Sequence, residues 1–492
     1  MLSLHAHSTH SFLSGTIPFD RLIELAIEHE SKYVSLTDTN GMYGLIQFAK
    51  LAEEKGIKPI LGTFIDDPED SESNLLLLAK NNEGYSQLCK IITTRKLKDD
   101  FRVADLLKED LSNLFLISSS IKLLEGNKNI IKKLSNFYVE LIVTKKQKKK
   151  TRELYQFAQE NGIKFVASQP IYFEKKEDFF LHKIVTAIKE NSTIENIDKS
   201  LLVDEEFYFH SPKEMQRKWA KLPEALKNVE FITDSCNVDL KFGEYKFPIY
   251  PVPEVENAYS YLWKLSFEGL KKRYQPLTQK AIDRLKYELE VIEELGFSNY
   301  FLVVWDIVRE AERRKIITIG RGSAADSLVS YCLGFTQVDP IKHNLYFERF
   351  LNKGRKNPPD IDLDFSWKER DEMIKYVFDK YGYDKVAMIS TTVTFRARSA
   401  FRETAKAFGI PNEEISKYSK FIPWTSAKNL GRLSEKFPES KSLDFSSEPW
   451  KTIIEIASKL SGFPRHLSIH PGGIVITPKP ITNYVALEYA KN

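Results

Sequence analysis

The stretch IITIGRGSAADSLVSYCLG, residues 316–334, organises the reading of this chain. The apolar run 316–319 predicts a short strand, Gly320-Arg321-Gly322-Ser323 a tight turn, and the residues after it a helix ending at Gly334. Glycines let a backbone approach a ligand closely, and Ser323 is placed to cap a helix whose first amides would face an anion. The turn is therefore a candidate phosphate cradle. No Gly-Lys-Ser/Thr follows, so it is not a Walker A loop, and taken alone it reads first as an ordinary strand-to-helix connection.

Further along, residues 359–365 read PDIDLDF. On a strand this alternation puts Asp360, Asp362 and Asp364 on one face and Ile361, Leu363 and Phe365 on the other. Same-face neighbours lie ~7 Å apart, and carboxylates so placed repel unless cations sit between them. A hard, oxygen-liganded cation such as Mg2+ resolves the repulsion, and two such ions can align the attacking and leaving oxygens of a phosphoryl transfer. Arg349, Lys353, Arg355 and Lys356 precede the carboxylates, as expected where a polyphosphate meets metal-bound acids. An edge strand with a solvated acidic face would carry the same pattern.

Upstream of the turn, Ile282, Leu285, Leu289, Ile292 and Leu295 recur at helical spacing and stop at Gly296, and a second helix is expected over 301–314. Residues 2–191 alternate β-like runs (2–5, 33–36, 59–64, 75–79 and 165–167) with helix-like stretches at 19–30 and 45–55, the rhythm of an α/β domain. Pro212, Pro223, Pro248, Pro251 and Pro253 break the pattern over 192–275, which reads as a connecting region containing a domain boundary. From about 391 to 463 the chain reads as mainly helical. The acidic loop 66–72 and the basic run 145–150 are most simply solvated surface.

Three smaller constellations remain. His5-Ala6-His7 with Asp38 has the chemistry of a metal centre, or of a structural site without one. Arg396, Arg398 and Arg402 follow Phe395 at near-helical spacing and suit bidentate phosphate contacts, or a solvated helix face. His470-Pro471-Gly472-Gly473 reads as a turn into a strand.

Composition bounds what these motifs can belong to. A chain of 492 residues has room for about three domains at ~150 residues each. Its 42 % hydrophobic and 28 % charged residues describe a folded globular protein. A net charge of +4 is too small to announce polyanion binding by itself. Cys89, Cys236 and Cys332 form no CxxC pair, which argues against a disulfide framework or thiolate zinc site and favours a cytoplasmic protein. No apolar run approaches the ~20 residues of a membrane span, and the polar start is no signal peptide, so no membrane partner is expected.

Several motifs, in register along essentially the whole chain, resemble the bacterial C-family DNA polymerases, the alpha subunits of DNA polymerase III. LSLHAHSTHSFLSG, LTDTNGMYG and GIKPILG resemble the family's polymerase-and-histidinol-phosphatase (PHP) domain. GFSNYFLVVWDIV, GRGSAADSLVSYCLGFTQVDP, LYFERFLNKGR and PDIDLDF resemble its palm, and AMISTTVTFRARSAFRE with FPRHLSIHPGG is similar to the error-prone, translesion branch. The resemblance implies an α/β multidomain chain. A PHP-type distorted βα barrel (1–191) is followed by a connecting region (192–275), a mixed α+β palm (276–390), a mainly helical thumb (391–465) and the start of a return to the palm (466–492), without fingers.

By that resemblance Asp360 and Asp362 hold the catalytic Mg2+ ions of a two-metal site, with no role assigned to Asp364. Gly320, Arg321, Gly322 and Ser323 hold the nucleotide triphosphate with Arg349 and Arg355 nearby, and Arg396, Arg398 and Arg402 contact DNA. The implied reaction is attack of a primer 3′ hydroxyl on the α-phosphate of a dNTP. Departures accompany it. Positions that ligate the family's PHP metal read Thr39, Phe64, Pro170 and Tyr172, so His5, His7 and Asp38 are expected to form a degenerate site without metal or phosphoesterase activity. The nucleotide loop has Ile319 where the family usually has Pro and Asp326 where it has Gly, and that carboxylate is expected to weaken triphosphate binding. No Asp follows Asp444. The family's third catalytic carboxylate is therefore expected from a separate C-terminal polymerase chain, with primer-template DNA and other replication or translesion proteins as further partners. Two alternatives are a non-catalytic remnant or DNA-binding accessory fragment and, against the substitutions just named, a metal-dependent phosphoesterase.

Overall fold

Six strands in the first 170 or so residues pair in sequence order: β1 (Tyr33–Leu36), β2 (Lys58–Asp66), β3 (Asn74–Ala79), β4 (Leu114–Ser118), β5 (Phe137–Ile142) and β6 (Lys164–Ser168). The computed structural model describes residues 2–354, 357–441 and 445–490; Arg355, Lys356 and Asp444 lie outside them. Pairs β1–β2, β4–β5 and β5–β6 are parallel, and β3 runs antiparallel to both neighbours. Strands covered on both faces need near-continuous apolar sequence, and every residue of β4 and β5 is buried. Both lack the alternation that marks a half-exposed strand, which is why neither was expected.

The expected strand at 2–5 does not form. Instead, Ile171 N donates to His5 O at 3.0 Å, His7 N to Ile171 O at 2.8 Å, and Thr37 N to Ala6 O at 2.8 Å. Ile171 lies just past β6 and Thr37 just past β1, so the N-terminal segment bridges the two edge strands and closes the sheet on itself. This is the PHP-type distorted βα barrel the sequence implied.

The chain divides into two units: residues 1–240 with 390–470 and 482–492, and residues 241–389 with 471–481. Within 192–275, helices Pro212–Lys218 and Pro223–Ser235 begin on the prolines that had read as pattern breaks, at first-turn positions where no amide hydrogen is missed. Met215, Val229 and Ile232 of these helices, with Trp219 just after the first, join the barrel's core. A second core of the first unit combines Phe395, Phe401, Ile453 and Leu460 with Ile184 and Val185 of the helix Phe179–Lys189.

The second unit is built on helices Ala258–Arg273, Gln279–Glu294 and Ser298–Arg313, which enclose Leu285, Leu289, Phe301, Phe335 and Phe350. Its ribbon consists of β7 (Thr318–Arg321) and β8 (Asp362–Phe365), paired antiparallel. The strand expected at 316–319 is displaced by two residues, which takes Gly320 and Arg321 out of the turn and into the strand. Two further strands, β9 (Val386–Thr394) and β10 (Pro464–Ile476), pair with each other. No helix among the described residues is long and apolar enough to cross a membrane.

Candidate active site

The ribbon joins the glycine-rich segment at 320–323 to the acidic segment at 359–365. Its register sets Arg321 opposite Asp362, Gly320 opposite Leu363 and Ile319 opposite Asp364. Asp360, Asp362 and Asp364 are exposed, while Ile361 and Leu363 pack against the unit's core, as the alternation requires. The strand begins at Asp362, so Asp360 stands just before it. Tyr300 Oη donates to Pro359 O at 3.0 Å and anchors that approach.

The two glycines serve different ends. A Cβ on Gly320 would lie 2.0 Å from Phe335 O, so this glycine lets β7 pack against the backbone beneath it. Gly322 has φ +74°, the left-handed conformation that turns the chain out of β7, and its missing Cβ would sit 3.6 Å from Asp362 Oδ2. Ser323 caps no helix, contrary to expectation. It falls inside a 3-10 turn, Gly322–Asp326, and Ser327 caps the following helix, Leu328–Cys332, by accepting from Ser330 N.

Beneath the turn lies a buried clamp that none of the sequence motifs contains. Arg284 Nε donates to Glu288 Oε1 at 2.6 Å, while Ser327 Oγ and Val329 N donate to Glu288 Oε2 at 2.8 and 3.0 Å. Arg284 Nη2 reaches Asp326 O at 3.2 Å and Leu345 O at 3.3 Å. Burial pushes the Glu288 carboxyl above the usual carboxylate range, despite the Arg284 bond. The signal was present: Glu288 lies on the apolar stripe of Leu285, Leu289 and Ile292, where a charge needs a partner.

Asp326 does not add a free carboxylate to the turn. It is buried, and its Oδ2 stands 3.8 Å from Arg349 Nε. Arg321 Nε donates to Asp364 Oδ1 at 2.9 Å. Asp360 and Asp362 have no cationic partner among the described residues. As exposed hard-oxygen donors they fit Mg2+, although no group of three or more His, Cys, Asp or Glu converges among the described residues.

The first unit holds His5, His7 and Asp38, brought together as expected and completed by a residue not foreseen, Glu140. His5 Nδ1 lies 2.7 Å from Glu140 Oε1, and His7 Nδ1 lies 3.1 Å from both Ser11 Oγ and Thr39 Oγ1. Asp38 accepts from Ser8 N, Ser8 Oγ and Ser11 Oγ. Phe64 stacks on His5 with centroids 5.0 Å apart, and Tyr172 on His7 at 4.0 Å. Burial lowers the His7 pKa and raises that of Asp38; for Glu140, burial would raise it, but His5 outweighs that and holds it low. Of the imidazole nitrogens in this cluster, His5 Nε2 and His7 Nε2 are buried without partners. Two such nitrogens do not make a metal cage, so the residues present do not fit the family's PHP metal. A charged residue inside the apolar strand FYVELI was the available signal for Glu140.

Arg396, Arg398 and Arg402 gather at the start of the helix Ala397–Ala407, also in the first unit. Arg396 lies over the ring of the exposed Trp424, 4.9 Å from its centroid. Arg398 donates to Ile422 O through Nε and Nη2, at 3.1 and 2.7 Å, which commits much of its guanidinium to the fold. Arg402 Nη1 reaches Ser419 Oγ at 3.1 Å.

Fold and site together define a multidomain α/β protein in which a closed PHP-type sheet accompanies a region that seats a glycine–arginine turn against paired carboxylates. Residues 3–142 match the PHP domain, and residues 260–492 match the bacterial DNA polymerase III alpha NTPase domain. The DNA polymerase III subunit alpha of Halalkalibacterium halodurans is 36 % identical over 99 % of this chain and 45 % of its own length. That of Bacillus subtilis is 34 % identical with the same coverage, and the error-prone DNA polymerase of Symbiobacterium thermophilum is 31 % identical over 99 % of this chain and 48 % of its own. The chain belongs to the DNA polymerase III alpha family, and it spans about half the length of these relatives.

Proposed function

We propose that this chain contributes the nucleotide site of a DNA polymerase III alpha subunit or an error-prone homologue, acting in template-directed DNA synthesis. The observation that carries the reading is the β7–β8 register, which pairs Gly320 with Leu363 and Arg321 with Asp362 and so brings the start of the Gly322 turn beside the carboxylates. Asp360 and Asp362 would hold the Mg2+ ions, which when bound lower the pKa of the attacking hydroxyl and stabilise the leaving pyrophosphate. Arg321 and Arg349 orient the triphosphate, with Arg355, outside the described residues, assigned beside them. Arg396 and Arg402, on the 391–465 thumb, meet the DNA backbone. Arg398 is a weaker contributor because its donors are already engaged.

In the same reading the His5–His7–Asp38 cluster serves the fold and carries no metal; metal analysis of the purified chain checks this, and stoichiometric zinc or manganese would contradict it. The decisive experiment is primer extension by the polymerase that contains this chain. Asp360→Asn and Asp362→Asn should each lower synthesis by about 10²- to 10³-fold while leaving primer-template binding, read by fluorescence anisotropy, unchanged. Full extension by the double variant would overturn the assignment.

A further inference from the structure

Arg321 and Arg349 are each approached by a carboxylate at the same atom. Arg321 Nε donates to Asp364 Oδ1 at 2.9 Å, and Arg349 Nε lies 3.8 Å from Asp326 Oδ2. In the ribbon the Cα partner of Arg321 is Asp362, yet its guanidinium is bonded to Asp364. Among the described residues neither arginine has another side-chain partner, so the Nη groups of both remain available. A guanidinium presents five N–H donors in a planar fork. Engaging Nε alone leaves the end that can meet two oxygens of one phosphate.

We propose that Asp364 is a positioning residue for nucleotide binding: it holds Arg321 by its Nε edge, so that the Nη groups meet the triphosphate already oriented. Asp326, at 3.8 Å, is in ion-pair reach of Arg349 but forms no hydrogen bond to it, so the proposal is confined to Asp364 and Arg321. The proposal rests on the reading of Gly320 to Ser323 as the triphosphate site. It divides the acids of PDIDLDF by role, with Asp360 and Asp362 left to the cations and Asp364 committed to an arginine. The gain is entropic, because a long side chain held in place before binding loses less freedom on binding. The cost, a carboxylate near a polyphosphate, is offset by the guanidinium it carries.

A double-mutant cycle tests this. dATP with Mg2+ is titrated by calorimetry into the full chain as wild type, Asp364→Asn, Arg321→Ala and the double variant. Asp364→Asn should weaken binding about two- to fivefold, the scale of one exposed ion pair. It should have no further effect beside Arg321→Ala, and Asp364→Glu should recover most of the affinity. Tighter binding by Asp364→Asn would make the carboxylate a repulsive neighbour, and an equal loss in both backgrounds would make it independent of Arg321; either result overturns the proposal. A wild-type chain that binds no dATP would refute the triphosphate reading and this proposal with it, an outcome distinct from wild-type binding that Asp364→Asn leaves unchanged.

Discussion

Both ring nitrogens of His182 are engaged inside the first unit: Nδ1–H donates to Ser14 O at 2.8 Å, and Val203 N donates to Nε2 at 3.2 Å. That pattern admits only the neutral ring, since a protonated Nε2 cannot accept. Burial accordingly pushes its pKa down to about 4 from 6.5. Between those values the unfolded chain binds a proton that the folded chain does not. Stability should therefore be full above about pH 6.5 and fall as the pH drops towards 4, by on the order of 3 kcal/mol. Urea unfolding across this range should show the slope, and His182→Asn should flatten it; an unchanged slope would assign the pH dependence elsewhere. His182 illustrates a limit of sequence reading. A histidine on a helix looks the same whether it faces water or two backbone groups brought from residues 14 and 203.

At the scale of the element, the β7–β8 ribbon depends on two glycines for separate reasons, and substitution separates them. Gly320→Ala forces a methyl into the Phe335 carbonyl and should cost about 1–3 kcal/mol by overpacking while displacing Arg321. Gly322→Ala meets only an ordinary contact, 3.6 Å from Asp362 Oδ2, but retains φ +74°, costing about 1–2 kcal/mol of backbone strain. Thermal unfolding should rank both below wild type, and dATP affinity should fall more for Gly320→Ala. Equal affinity in the two variants would show that the close packing of β7 does not position the site. The alternating carboxylates and a chain turn at Gly322 were legible in the sequence because each is local, although Gly320 and Arg321 join the strand before it. Their pairing was not, since hydrogen bonds between residues 318–321 and 362–365 leave no periodicity in either segment. Ser323 failed as a cap for a related reason: the turn tightens into a 3-10 form, and the next serine in helical register, Ser327, takes the role.

For the whole molecule, the helix Phe179–Lys189 ties residues 390–470 to the barrel's unit. Its Ile184 and Val185 lie in the core formed by Phe401, Ile453 and Leu460. Ile184→Ala should cost about 2–5 kcal/mol. Hydrogen exchange read by mass spectrometry should show lost protection in Ala397–Ala407 and Trp450–Lys459, and none in Gln279–Glu294 of the other unit. Loss of protection confined to Phe179–Lys189 would show that this helix does not hold the second core together. The α/β rhythm of residues 2–191, the helices at 279–313 and the helical character of 391–463 were readable from apolar spacing, while the barrel followed from the family resemblance alone. The division into units was not, because a unit assembled from residues 1–240 and 390–470 has no signature in composition.

The sequence by itself determined the family, through the resemblance of its motifs, and the α/β character and alternating acids, which neighbouring residues carry by spacing that maps directly onto strand or helix. Tertiary structure alone decided which acids meet which bases from distant parts of the chain: Asp364 with Arg321, Asp326 beside Arg349 and Glu140 with His5. A carboxylate's chemistry depends on the charge and solvent within a few ångströms. Chain reversals at β7–β8 and across the barrel set those distances, and no local pattern records them.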